Sequence, residues 1–161
     1  MPGFFDRRGL LRPPGAADEA ELLSTCIKCA RCVEVCPFQA IRLGPITAWR
    51  SYGTPFIDPI ASPCRLCMRC PEICPTGALI PVAAEAAAMG TARLDRDRCY
   101  SYNGIVCNQC HRECPLREAA IVLDELLQPV VIEQACVGCG VCAHVCPSEP
   151  RSIEIKPRGR R

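Results

Sequence analysis

The stretch Cys26-Ile27-Lys28-Cys29-Ala30-Arg31-Cys32-Val33-Glu34-Val35-Cys36-Pro37 decides how this chain is read. Cysteines three apart on a tightly turning backbone aim three thiolates at one centre. The fourth, on a short helical turn just beyond, points toward a neighbouring centre, and the proline after it needs no N–H partner. The same C-x2-C-x2-C-x3-C-P pattern recurs at Cys64, Cys67, Cys70, Cys74 and Pro75, and at Cys136, Cys139, Cys142, Cys146 and Pro147. Cys99, Cys107, Cys110, Cys114 and Pro115 repeat it with a C-x7-C opening. These groups use all 16 cysteines of the 161 residues.

Runs of this kind bind iron–sulfur clusters. Structural zinc would call for paired knuckles set well apart, often with histidine. The chain has only His111 and His144, and its knuckles come as consecutive triplets. Disulfides give no reason for four repeats ending in Cys-Pro, and no secretory apolar segment precedes them. The remaining composition agrees. Eight aromatics are few, and 16 prolines with 11 glycines cut helices and strands short, so a conventional apolar core cannot hold the chain alone. A formal charge of +2 argues against a nucleic-acid binder, and no run of eighteen apolar residues predicts a membrane span.

Four near-equal copies predict an α+β fold of two bacterial dicluster-ferredoxin-like modules, short strands and helices wrapped around four [4Fe–4S] clusters. Strand signals lie between the copies. Ala120 to Asp124 and Pro129 to Glu133 read as a hairpin, Ile41 to Leu43 and Pro55 to Asp58 as a weaker pair, and Ser152 to Lys156 has Thr91 to Asp95 as a partner. The hairpins favour sequential pairing of the copies. Cluster one then takes Cys26, Cys29, Cys32 and Cys74; cluster two takes Cys64, Cys67, Cys70 and Cys36. Cluster three takes Cys99, Cys107, Cys110 and Cys146; cluster four takes Cys136, Cys139, Cys142 and Cys114. Nested pairing, first copy with fourth and second with third, is the rival and changes only the fourth ligands. The expected organisation is an arm and short helix over 1–25, a first module over 26–82, an Ala-rich connector over 83–90, a second module over 91–157 and a basic tail over 158–161. Asp18 and Glu21 form a D-x-x-E cap for a helix Glu19 to Thr25. Pro81 to Gly90 has helical propensity, with Gly90 as its stop.

With these motifs in view, the chain resembles the MauM/NapG family of ferredoxin-type proteins. The matching pieces are Leu11-Arg12-Pro13-Pro14-Gly15-Ala16 before the first group, Gly53-Thr54-Pro55 before the second, Cys74-Pro75-Thr76-Gly77-Ala78-Leu79 closing it, and the long Cys99-to-Cys107 spacing. The resemblance covers about residues 10 to 157. It implies a non-catalytic subunit relaying electrons between a quinol-linked or other donor module and a terminal oxidoreductase, in the periplasm for the best-known members. It also implies partner redox subunits, membrane-linked or a metalloenzyme, and neither nucleic acid nor a membrane span of its own. Two features depart from the family pattern. Only Met68-Arg69 separate Cys67 from Cys70. Arg7-Arg8-Gly9-Leu10-Leu11 starts like a twin-arginine leader, but Arg12-Pro13-Pro14 follows with no apolar stretch. A cytoplasmic location is therefore expected, with the periplasm as the alternative if a leader is missing from this sequence.

No Gly-rich nucleotide loop, H-E-x-x-H or nucleophile beside a base is present, which fits an electron carrier and not an enzyme. The alternative is an assembly or maturation factor that donates or protects clusters of a metalloenzyme. Four oxidised clusters bring the expected net charge to about −6. Basic side chains lie in the first group (Lys28, Arg31) and the second (Arg65, Arg69), whereas the fourth is small and apolar. The fourth cluster is therefore expected to have the lowest potential and the first two the highest. The tail Lys156, Arg158, Arg160 and Arg161 reads as a docking element or as a solvated end. His111 and His144 read as surface or supporting residues; Tyr100, Tyr102, Trp49 and Tyr52 read as loop packing or partner contacts.

Overall fold

A computed structural model describes residues 10–158. Arg7-Arg8-Gly9 and the tail residues Arg160 and Arg161 lie outside the described residues. Five short helices and six short strands are strung between the cysteine loops: α1 (Glu19–Thr25), α2 (Arg31–Glu34), β1 (Ile41–Leu43), β2 (Pro55–Ile57), α3 (Arg69–Glu72), β3 (Gly90–Leu94), α4 (Gln109–Arg112), β4 (Ile121–Leu123), β5 (Pro129–Val131), α5 (Val141–Val145) and β6 (Ile153–Pro157). The α+β reading holds. The strands form three antiparallel two-stranded sheets, β1–β2, β3–β6 and β4–β5. Ile41 faces Ile57, Thr91 faces Lys156, and Ile121 faces Val131.

The local signals explain these elements. The Asp18 carboxylate accepts the Glu21 amide at 2.8 Å, closing the first turn of α1 as the D-x-x-E pattern requires. Helices α2, α3 and α4 are four residues each, one turn after the middle of each cysteine loop. So short a helix has no stability of its own and must be held by what it packs against. The segment Leu11 to Ala16 straps the first half together. Leu11 accepts the Ile57 amide at 2.8 Å, and Gly15 accepts that of Ile80 at 2.9 Å. Gly15 has φ +79°, and a Cβ there would lie 2.1 Å from the Ile80 carbonyl oxygen, so only glycine fits this crossing.

Arg12 explains much of why the strap sits where it does. It is 8 % exposed, forms a bidentate pair with Glu19 on α1, and also donates to Thr54 Oγ1 (3.1 Å) and the Pro55 carbonyl (2.7 Å). One guanidinium thus ties the strap, α1 and the entry to β2 together. Replacing Arg12 with glutamine removes the bidentate pair with the half-buried Glu19 and the buried bonds to Thr54 and Pro55, and is expected to destabilise the fold by about 3 kcal/mol. Faster thermal bleaching of the visible absorbance of the loaded protein would register the effect.

The Ala-rich segment departs from expectation. Its only helical turn is a 3-10 turn over Ala84–Ala86, and Gly90 opens β3 instead of stopping a helix. Tertiary contacts override the alanine propensity. Pro81 limits the start, the Met89 amide is claimed by the Val137 carbonyl at 2.9 Å, and Ala87 and Met89 enter the core. The glycine serves a different purpose. A Cβ on Gly90 would lie 2.4 Å from the Lys156 carbonyl oxygen.

The core is one cluster shared by aliphatic and sulfur side chains. Leu22, Ile57, Ile121 and Val141 are fully buried, and Cys64, Cys70, Cys110, Cys139 and Cys142 belong to the same packed group. A seam joins the two halves. The Cys64 amide donates to the Cys139 carbonyl at 2.9 Å, and His144 Nδ1–H donates to the Ile60 carbonyl at 2.7 Å. No helix among the described residues is long and apolar enough to cross a membrane.

Candidate functional site

The cysteine loops share an unusual backbone. Lys28 and Ala30 flank Cys29 at φ 59° and 62°, and Leu66 and Met68 flank Cys67, both at φ 55°. Gly138 and Gly140 occupy the matching places around Cys139 at φ 73° and 89°. Left-handed residues on both sides of a cysteine bend the backbone tightly, the kind of turn that directs N–H groups into a concavity for anions such as iron–sulfur sites use. Four non-glycine residues accept this conformation at a cost of order 1–2 kcal/mol each, which persists only where the site demands it. The third group, with its longer opening, lacks this pattern; there Gly104 alone is left-handed, at φ 80°.

The loops bring the cysteines together in fours. One cavity is lined by Cys26, Cys29, Cys32 and Cys74, with Leu22, Lys28, Arg31, Leu43 and Leu79 around them. A second is lined by Cys36, Cys64, Cys67 and Cys70. Another is lined by Cys114, Cys136, Cys139 and Cys142 among Ile121, Val137 and Ile155. The Cys110 thiol has Cys99, Cys107 and Cys146 as its sulfur neighbours. Numbered by the loop that supplies three cysteines, these are the first, second, fourth and third sets.

Burial and neighbouring sulfurs govern the thiols. Burial, then Cys26 and Cys29, pushes Cys32 up to about 11. Burial, with Cys67 and Cys36 adding to it, takes Cys64 to about 11 despite the Leu66 amide on its sulfur. Burial again leads at Cys110 and Cys139, both pushed to about 12, and Cys142 is raised well above the usual thiol value. Such thiols stay protonated at neutral pH, so a metal group that takes them as thiolates must displace their protons. Among the described residues no three His, Cys, Asp or Glu side chains are grouped to hold a single metal ion. Four sulfurs around a wider space fit a polynuclear group instead.

Those sulfur neighbours also connect the sets. Cys32 of the first set adds to the rise at Cys70 of the second. Cys64 of the second acts on Cys139 of the fourth, and Cys110 of the third acts on Cys142 of the fourth. The sets therefore abut in the order first, second, fourth, third.

Hydrogen bonds to sulfur distinguish the sets further. The Ala40, Leu66 and Ala92 amides donate to Cys36, Cys64 and Cys136 at 3.3–3.4 Å. Cys146 differs in having two hydroxyl neighbours, Ser148 Oγ at 3.1 Å and Ser152 Oγ at 3.2 Å, both on buried serines. Ser148 Oγ accepts the Ser152 amide at 2.8 Å, which leaves its own proton for the sulfur. Burial would raise the Cys146 thiol, but these serine bonds outweigh it and hold it below its ordinary value. Sequence reading passed over this pair; its signal is the S-x-x-x-S that follows Cys146-Pro147. With a cluster bound, Ser152→Ala removes a donor that favours the more negative, reduced state. A midpoint lowered by roughly 40 mV is expected, equivalent to about 1 kcal/mol, and a potentiometric EPR titration measures it.

The histidines and tyrosines have other occupations. His111 Nε2 meets Glu118 at 3.1 Å, and His144 bridges to Ile60. Tyr102 OH donates to the Pro129 carbonyl at 3.3 Å, with Arg96 over its ring. Tyr100 OH reaches the Pro147 carbonyl at 3.5 Å. Loop packing accounts for both tyrosines. Arg65 lines the second cavity, Arg69 precedes Cys70 in the chain, and both are exposed. Neutralising both to glutamine is expected to lower the midpoint of a cluster held there, with water screening much of the charge.

Comparison with known proteins accords with this geometry. A 4Fe-4S dicluster domain model matches residues 25–78, and a 4Fe-4S binding domain model matches residues 129–151. The chain is 38% identical over 161 residues to the methylamine utilization ferredoxin-type protein MauM of Methylorubrum extorquens, covering 92% of this chain and 73% of that protein. It is 36% identical over 162 residues to the ferredoxin-type protein NapG of Escherichia coli, covering 91% and 70%. With the MauM of Methylobacillus flagellatus the identity is 40% over 161 residues, covering 92% and 69%.

Proposed function

Because the chain belongs to the MauM/NapG family of ferredoxin-type proteins, we propose that it is a relay of four [4Fe–4S] clusters, a non-catalytic subunit passing electrons between a donor module and a terminal oxidoreductase. The observation that carries this reading is the unbroken succession of four sets of four thiols through one core. The assigned ligands are Cys26, Cys29, Cys32 and Cys74; Cys36, Cys64, Cys67 and Cys70; Cys99, Cys107, Cys110 and Cys146; and Cys114, Cys136, Cys139 and Cys142. The cavities that mix a triplet with the fourth cysteine of the adjacent copy support sequential over nested pairing. The two-module division at 26–82 and 91–157 is part of the same proposal, supported by the strand pairs on either side.

When bound, the clusters supply one-electron storage and transfer. The chain's own residues do the rest. Thiolates hold the groups, the loop amides and the Ser148 and Ser152 hydroxyls face sulfur, and Leu22, Ile121, Val137 and Ile155 keep water out. The order in which the sets abut makes the first and third the ends of the relay.

The test is elemental and redox analysis of anaerobically prepared protein. About sixteen irons per chain, with EPR signals from four reducible centres, are expected. Zinc, or far fewer irons, would end this reading. A maturation factor would instead surrender its clusters readily; exposed Cys29 and Cys67 are where such release would begin. Retention of full iron through incubation with a chelator at neutral pH distinguishes the relay from that alternative.

A further inference from the structure

We infer that the loop from Pro45 to Gly53, with Trp49 at its tip, is the docking surface for an acidic face of a redox-partner protein; this rests on the relay reading above and adds the partner's chemistry. The first set of cysteines lies at one end of the series, and Cys29 is exposed there. The loop stands at this cavity's mouth. A Cβ on Gly53 would lie 3.0 Å from Lys28 Cδ, Lys28 Nζ sits 5.6 Å from the Tyr52 ring centre, and Lys28, Leu43 and Gly53 all line the cavity.

The loop presents side chains that folding gives no reason to expose. Trp49 is 86% exposed, Ile46 79% and, beside the first cysteine, Ile27 64%. Trp49 also sits at φ 47°, ψ −106°, a conformation that bulky residues rarely adopt. Buried contacts beneath hold the loop in place. Thr54 Oγ1 donates to the Ser51 carbonyl at 2.7 Å, and Arg12 donates to both Thr54 and Ser51 side chains. The loop that carries the indole is therefore held from beneath, and an exposed tryptophan is the residue type that anchors interfaces.

Charge selects the occupant. Lys28 and Arg31 line the cavity, Arg50 follows Trp49 in the loop and all three are exposed, and no Asp or Glu occurs from Ile27 to Val33 or from Ala40 to Ile57. The opposite end of the series, near Cys107, exposes Ile105 and Val106 with no charged residue from Cys99 to Gln109. The arginines beside the third set, Arg98 and Arg112, are paired with Asp95 and Glu113, whereas the first end offers a positive rim around an aromatic centre, which complements a negative protein face and speeds encounter at low salt.

The test uses the full holoprotein, reduced with dithionite, in anaerobic stopped-flow against oxidised flavodoxin as an acidic probe and a small viologen mediator as a control. The rate to flavodoxin is expected to fall with rising ionic strength, and to drop about tenfold in Trp49→Ala and in Arg50→Glu, with the viologen rate and the EPR signals unchanged. Flavodoxin rates within twofold of the original in both variants overturn the inference while leaving the relay intact. Loss of rate only in Val106→Glu overturns it too, by placing docking at the other end. Binding to phosphatidylglycerol vesicles that Trp49→Ala abolishes, with flavodoxin rates untouched, would assign the loop to a lipid surface instead. A reduced protein that passes electrons to neither flavodoxin nor viologen would strike at the relay itself.

Discussion

Stripping the iron from the loaded protein, by oxidation in the presence of a chelator, is expected to turn a folded molecule into a largely unstructured chain. The reason lies in what would remain. Helices α2, α3 and α4 are single four-residue turns, and each sheet has two strands of three to five residues. Neither kind of element is stable alone in water. The buried aliphatic residues share their core with Cys64, Cys70, Cys110, Cys139 and Cys142, so removing the bound groups opens voids within that core. Free thiols repelled from ionising at Cys32, Cys64, Cys110 and Cys139 offer no attraction in return. Far-UV circular dichroism and hydrogen exchange should both report near-complete loss of structure, with exchange protection falling by several orders of magnitude. A stripped chain that keeps a cooperative thermal transition near that of the loaded protein would contradict this.

The second large effect is expected at the seam between the halves. Gly140 has φ +89°, and a Cβ there would lie 2.4 Å from Pro59 Cβ and 3.1 Å from Pro59 Cα. Neither neighbour is a flexible chain end, and Pro59 is itself buried. Gly140→Val adds left-handed strain to this overlap, together about 4 kcal/mol. The clash should part the contacts on which the second and fourth sets depend, Cys64 N–H to Cys139 O and His144 to Ile60. Thermal loss of visible absorbance should quicken at least a hundredfold, and magnetic coupling between the two reduced centres should weaken in EPR. Gly104→Ala is the control: its φ is +80°, but nothing lies within 4 Å of the added atom. Equal effects at both positions would mean that backbone strain, and not the seam, explains the loss.

Much of the architecture was legible because it is local. The D-x-x-E cap placed α1 at Glu19–Thr25, and the β-branched runs marked the partners Ile41–Leu43 with Pro55–Ile57 and Ile121–Leu123 with Pro129–Val131. Even β3 with β6, whose paired residues are 59 to 67 positions apart, could be matched by elimination of unpaired strand signals. The Ala-rich segment could not. Alanine propensity amounts to a few tenths of a kcal/mol per residue, and the pairing of Gly90 with Pro157 together with the Met89–Val137 bond outweighs it.

By itself the sequence determined which residues form the sulfur loops and which family the chain joins, since cysteines three apart, with two residues between them, dictate a tight turn wherever that turn is placed. Tertiary structure alone decided that the second set meets the fourth and that Arg12 lies under the Trp49 loop. It also set two hydroxyls on Cys146. These depend on which faces press together, and Gly140 against Pro59 or Ser152 against Cys146 leaves no periodic trace along the chain.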